Sequence, residues 1–163
     1  MLDYLVRATD SKGEQLPKKN LVLAVTVATG AGFTTTSSLL SWCIYGLVTH
    51  PGIQAQILQE LVNLDINPST DSISAEQIEG LHKLDNFVKE TQRRHNPSYQ
   101  PGRTAQRDMV LPGGYRMRKG TVVIIALHHL HMNPDQWENP NRFDPDRWDT
   151  EQVKNRHKAA YIP

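Results

Sequence analysis

Leu21-Val22-Leu23-Ala24-Val25-Thr26-Val27-Ala28-Thr29-Gly30-Ala31-Gly32-Phe33-Thr34-Thr35-Thr36 opens a run that continues to Thr49 without a charged side chain. An apolar stretch of that length, closed by Pro51, predicts one long and mostly buried helix over residues 19–50. The length also suits a membrane span. Its middle, however, is crowded with hydroxyls and glycine, which makes a poor lipid-facing surface. Gly30 and Gly32 each cost about 1 kcal/mol relative to alanine inside a helix, so their presence needs a reason. Two reasons are open: close packing of a neighbouring helix, or close approach of a flat ligand.

Working outward, residues 1–18 hold Asp10-Ser11-Lys12-Gly13-Glu14 and Pro17, a polar run that reads as a loop or the end of an upstream helix. After Pro51, the spacing of Ile53, Ile57, Leu58, Leu61 and Val62 predicts a helix. Ser74 with Gln77 three positions on has the form of a capping box and predicts a short helix. Leu81, Leu84, Phe87 and Val88 predict a further helix stopping near His95, ahead of Pro97, so that residues 51–97 are successive helices joined by loops. Turn signals at Pro112-Gly113-Gly114 and Lys119-Gly120, with the β-rich Thr121-Val122-Val123-Ile124-Ile125, predict a small hairpin-like sheet within 98–127. The remainder, 128–163, carries Pro134, Pro140 and Pro145 and is expected to be an irregular meander with one short helix. The fold class is therefore mainly α with a small β-sheet.

Hydrophobic content of 38% and charged content of 21% are those of a globular domain. A net charge of +1, with basic residues read as scattered, excludes nucleic acid as a partner at this level. The single Cys43 excludes an internal disulfide framework and any multi-cysteine zinc or iron-sulfur site, and reads as a small buried apolar side chain. Asp3, Arg7 and Asp10 interrupt the first ten residues, so no secretory leader is expected, and the setting is read as intracellular.

Three motifs carry a family resemblance. Ala31-Gly32-Phe33-Thr34-Thr35-Thr36 resembles the Ala-Gly-x-(Asp/Glu)-Thr-Thr pattern of the I helix in cytochrome P450 haem-thiolate monooxygenases. In that family the small residues make room over the haem, and the first threonine of the final pair helps deliver protons to dioxygen. Thr35 matches that threonine; Ala31 and Gly32 match the small residues. Thr34 stands where the family has an acid, so the resemblance implies a proton route lacking a carboxylate there. Four residues separate Ala31 from Thr35, so the Thr35 hydroxyl is expected to compete for the Ala31 carbonyl and open the helix locally.

Glu90-Thr91-Gln92-Arg93 is similar to the family's Glu-x-x-Arg, and Asn139-Pro140-Asn141-Arg142-Phe143-Asp144-Pro145-Asp146-Arg147-Trp148 to its Phe-x-Pro-Glu-Arg-Phe segment. The resemblance implies a brace in which Glu90 lies between the guanidinium groups of Arg93 and Arg147, structural in role. Read without it, Glu90 and Arg93 are an i,i+3 pair of the kind common on helix surfaces. Gly102-Arg103-Thr104-Ala105 ahead of Asp108 and Lys119-Gly120 looks like the family's small-sheet region, which implies that Arg103 pairs with a haem propionate; unaided, it is a strand arginine facing solvent. His128, His129 and His131 are read as polar residues, since a closed zinc site needs four well-spaced ligands.

The resemblance covers roughly residues 18–163 and implies a partial cytochrome P450 fold: I helix, J and K helices, small sheet and meander. It implies haem as cofactor, dioxygen and an apolar small molecule as substrates, an NADPH-linked reductase as electron donor, and anchoring of the parent to the endoplasmic reticulum membrane. Tyr161-Ile162-Pro163 matches the approach to the family's cysteine loop. The chain is accordingly expected to be a piece of that parent, inactive alone because the ligand loop lies beyond Pro163. The alternatives are a non-catalytic helical scaffold, or a single-span membrane protein anchored by Leu21 to Val48.

Overall fold

The structure, a computed structural model, describes residues 2–98 and 100–163. Met1, in the first segment of the sequence reading, and Tyr99, in the sheet segment, lie outside the described residues. The chain divides into two compact units, Met1–Ser38 and Leu39–Pro163.

In the first unit, α1 (Leu2–Arg7) leads into a tight reversal. The Asp10 carboxylate accepts the backbone N–H groups of Lys12 and Glu14 at 2.8 and 3.0 Å, Gly13 takes a φ of +80°, and Thr9 bridges to Gln15. An aspartate that bonds the chain two residues on is a self-contained turn former. Helix α2 (Lys18–Thr49) begins directly after Pro17. It is long and apolar enough, by length and composition alone, to cross a membrane.

The expectation that α2 is mostly buried needs correction. Gly46 is its one buried residue, while Val22, Leu23, Val27 and Phe33 stand exposed. Apolarity leads to burial only where a partner surface exists, and among the described residues none covers these side chains. The helix also satisfies its own hydroxyls. Thr26, Thr34 and Thr35 each donate to the carbonyl four residues back, at 2.8, 2.9 and 2.7 Å, so none of the three needs a neighbour to be paired.

The second unit holds the core. The last turns of α2 meet α5 (His82–Arg94): Trp42 stacks flat on His95 with ring centroids 3.8 Å apart, and Gly46 abuts the Phe87 ring. Helix α3 (Pro51–Asn63) starts on its proline, which is pre-set for a first helical position. Helix α4 (Ala75–Glu79) starts at the capping box, whose two reciprocal bonds measure 3.0 and 3.1 Å. Helix α5 has no cap from its own flank. The Glu60 carboxylate of α3 instead accepts the N–H groups of Lys83 and Leu84, at 2.6 and 3.0 Å.

The β region departs from the single hairpin-like sheet. It forms two two-stranded antiparallel ribbons, β1 (Gly102–Thr104) with β4 (Val122–Ile124), and β2 (Met109–Val110) with β3 (Arg116–Met117). The long hairpin is interrupted where Gly120 turns at φ +87° and donates to the Ala105 carbonyl, while Asp108 takes the Lys119 N–H. The reading of basic residues as scattered also fails here, because these ribbons gather Arg103, Arg107, Arg116, Arg118 and Lys119. Helix α6 (Leu127–His131), a 3-10 turn (Pro145–Asp149), α7 (Glu151–Lys154) and a second 3-10 turn (Lys158–Ala160) complete the unit.

Candidate functional site

The Ala31 to Thr35 segment lies in the first unit. Thr35 is half-buried and its hydroxyl donates to the Ala31 carbonyl at 2.7 Å; Thr34 does the same to Gly30 at 2.9 Å. Two consecutive back-bonds of this kind pull carbonyls off the helix axis. Around Gly30 and Gly32 nothing approaches within 4 Å of where a Cβ would stand, so neither glycine is explained by a close-packed neighbour among the described residues. Phe33, 73% exposed, points away from the Thr35 side. The side chains of the segment are therefore short on the Ala31, Gly32 and Thr35 surface and large on the other.

Arg103 sits at the centre of β1 opposite Val123. It is exposed, and its guanidinium donates to the Gly102 carbonyl at 2.8 Å, leaving its other N–H groups free of protein partners among the described residues. Helix α6 separates the three histidines by role: His131 is fully buried, while the rings of His128 and His129 meet edge to face at 6.0 Å.

Glu90, Arg93 and Arg147 are brought together. Arg93 grips the Glu90 carboxylate with two parallel bonds of 2.9 Å, and Arg147 Nε donates to Glu90 Oε1 at 3.1 Å. Glu90 and Arg93 are 0% exposed. A buried charge survives only when paired and fully bonded. Two guanidiniums against one carboxylate leave a surplus positive charge, and the backbone takes it up. Carbonyls of His131, Pro140 and Arg142 accept from Arg93, and those of Glu138, Asn139 and Arg142 from Arg147. Asn139, at φ +45°, provides the reversal that lets these carbonyls converge.

Several participants have no local signal in the sequence. The Trp148 indole donates to Glu90 Oε2 at 3.2 Å and the Asp144 N–H to Oε1 at 3.0 Å, so five donors surround one carboxylate. Trp137 is buried beneath the Arg156 guanidinium, which lies 3.4 Å over its ring, with Trp148 and Tyr161 packed edge-on nearby. His131 Nε2 accepts the Ile162 N–H at 3.0 Å. Burial, helped by Arg93 and Arg156, lowers its pKa to about 4. Burial likewise raises the Tyr161 phenol, which donates to Gln92 at 2.9 Å.

The family model described as cytochrome P450 matches residues 1–163. The chain belongs to the cytochrome P450 family. It is 47% identical over its whole length to cytochrome P450 monooxygenase alnD of Emericella nidulans, covering 29% of that protein. It is 32% identical over 99% of its length to cytochrome P450 4F5 of Rattus norvegicus, covering 31% of it. Among solved P450 structures, the retinoic acid bound cyanobacterial CYP120A1 superposes on 99% of the chain with a TM-score of 0.88 at 25% identity, over 36% of that chain. The cytochrome P450DA heme domain gives a TM-score of 0.81 at 34% identity, over 96% of this chain and 35% of its own. The chain thus spans about a third of the length of the P450 proteins it matches.

P450 proteins bind haem, and the donors present fit part of that group. Within the first unit, α2 leaves open space at Gly30 and Gly32, wide enough for a flat group; within the second, Arg103 keeps N–H groups free of protein partners among the described residues. Cys43 does not suit the iron. A thiolate ligand needs a depressed pKa, whereas burial pushes the Cys43 thiol up, with the Thr91 hydrogen bond opposing only in part. Cys43 also lies two helical turns from Thr35 on the same helix.

Proposed function

We propose that these residues serve in a haem-dependent monooxygenase that inserts one atom of dioxygen into an apolar organic substrate and draws electrons from an NADPH-linked reductase. The observation that carries the reading is the bond from the Thr35 hydroxyl to the Ala31 carbonyl, 2.7 Å, beside a glycine whose missing side chain no neighbour requires. Haem with a thiolate ligand supplies, when bound, the chemistry that cleaves the O–O bond.

The chain's own residues would do the rest. Ala31 and Gly32 leave room, and Thr35 holds a hydroxyl that can release Ala31 and turn outward to hand on a proton. Thr34, tied to Gly30, presents an alcohol where an acid would hold a proton reserve. Arg103 would steady a propionate by charge. The brace of Glu90, Arg93 and Arg147 would hold the meander and take no part in proton movement. Membrane attachment of the whole protein belongs to the same proposal, through a part other than α2, which this reading places beside the haem.

The test is an exchange. These 163 residues replace the matching segment of the Emericella nidulans relative, and oxygen and NADPH consumption are compared with product formed. Turnover in the chimera, with Thr35→Ala consuming oxygen but losing product by about a hundredfold or more, is the expected result, since a positioned proton donor contributes about 10²–10⁴-fold. A Thr35→Ala chimera as well coupled as its parent would remove the role assigned to Thr35.

A further inference from the structure

Ile162 is held by its backbone. Its N–H donates to His131 Nε2 at 3.0 Å, and its carbonyl accepts from Asn96 Nδ2 at 2.9 Å. The side chain is 40% exposed, so apolar burial is not what fixes this residue. The chain is extended here, with Tyr161 at φ −130° and ψ 118°, yet no strand pairs with it among the described residues. An extended segment with no strand beside it leaves its N–H and C=O groups to water, and two side chains from separate elements take the place of that strand.

Both side chains are set in advance. Asn96, 9% exposed, follows the end of α5, and its Oδ1 accepts the Ser98 N–H at 2.8 Å, which turns the amide nitrogen toward Ile162. His131 closes α6 and is fully buried, and Arg93 donates to its carbonyl at 2.8 Å, which ties it to the Glu90 brace. To accept at Nε2, the neutral ring must carry its proton at Nδ1, and that N–H is buried without a partner among the described residues. A buried donor left unpaired destabilises a fold, so the bond to Ile162 is kept against an opposing term.

We propose that Asn96 and His131 are positioning residues that set the register and heading with which the chain leaves Ile162 toward the loop that carries the thiolate in P450 proteins. The proposal deepens the monooxygenase reading and rests on it. In an extended segment a slip of one residue turns every following side chain to the opposite face, which would carry a ligand away from its metal. Slippage is blocked in both directions. Pro163, next in line, has no N–H to offer His131, while the Tyr161 phenol is fastened to Gln92 at 2.9 Å.

The test begins with amide hydrogen exchange in the 163-residue chain. Asn96→Asp keeps the acceptor for Ser98 and loses the donor to Ile162, and His131→Ala removes the acceptor of the Ile162 N–H. Each is expected to speed exchange at the Ile162 amide by about fivefold to tenfold, the worth of one hydrogen bond, while the Asp144 amide bonded to Glu90 is unchanged. The same variants then enter the Emericella nidulans chimera, read by the carbon monoxide spectrum of the reduced haem rather than by turnover. The band of thiolate ligation is expected to lose most of its intensity in both and to return in His131→Gln, whose amide oxygen accepts the same N–H. Asn96→Asp opens no cavity, so it decides the matter if His131→Ala fails to fold. Glu60→Ala, which weakens α5 away from Ile162, should keep the band. A full thiolate band in Asn96→Asp and His131→Ala, an equal loss in Glu60→Ala, or unchanged exchange at the Ile162 amide would each overturn this proposal alone. A parent chimera without the band would overturn the monooxygenase reading and the proposal with it.

Discussion

Glu60 accepts the backbone N–H of Lys83 at 2.6 Å, and through it α3 closes the otherwise uncapped start of α5. The first turn of a helix leaves N–H groups without partners and a partial positive charge, and a carboxylate answers both. Glu60→Ala is expected to lower stability by about 1–2 kcal/mol, the usual worth of a lost cap. Glu60→Gln keeps an acceptor but not the charge, so it should lose less. Urea midpoints of the two variants check the order, and equal midpoints for Glu60→Ala and the parent would mean that the cap adds nothing.

Removal of Glu90 should be far more damaging than removal of a surface pair such as Lys154 and Glu151. Glu90→Gln places amide hydrogens among five donors and leaves two buried guanidiniums unneutralised, which is expected to cost about 3–5 kcal/mol. Arg147→Ala leaves Glu90 with Arg93 still bidentate, so a smaller loss is expected, accompanied by freeing of residues 138–144. Hydrogen exchange across that segment distinguishes the two.

Acid should unfold the second unit through His131. Its folded pKa of about 4 lies below the ordinary value near 6.5, so between those values the unfolded chain takes up a proton that the folded one refuses. Stability should thus fall as pH drops from about 6.5 to about 4 and level off beneath, by up to roughly 3 kcal/mol. His95, lowered by burial and then by Arg94, acts in the same direction. Denaturant midpoints across that range should show a shallower slope in His131→Gln; an unchanged slope would assign the effect elsewhere.

The glycines of α2 should respond oppositely. Gly30→Ala meets open space and is expected to stabilise the helix by about 1 kcal/mol. At Gly46 a Cβ would lie 3.1 Å from the Phe87 ring, itself wedged against Phe143, so Gly46→Val should cost about 1–3 kcal/mol. Helicity and thermal midpoints of the two variants check the difference in sign.

Local chemistry made much of this legible in the sequence. The run from Leu21 to Thr49 dictates a helix because every residue in it lacks charge and Pro51 can only follow its end. Ser74 and Gln77 determine the start of α4 because their bonds span three residues. Thr35 reaches Ala31 because the helical repeat puts them one turn apart. Membership of the family was legible for the same reason: short motifs in a fixed order carry it. Tertiary structure alone decided what depends on residues far apart in the chain. Glu60 caps a helix that begins 22 residues later, Trp148 reaches Glu90 across 58, and Arg156 settles on Trp137. It also decided that α2 stays largely exposed and that the β region breaks into two ribbons at Gly120. Sequence spacing sets what a segment can satisfy by itself, whereas burial and long-range hydrogen bonds depend on which surfaces meet after the chain has folded.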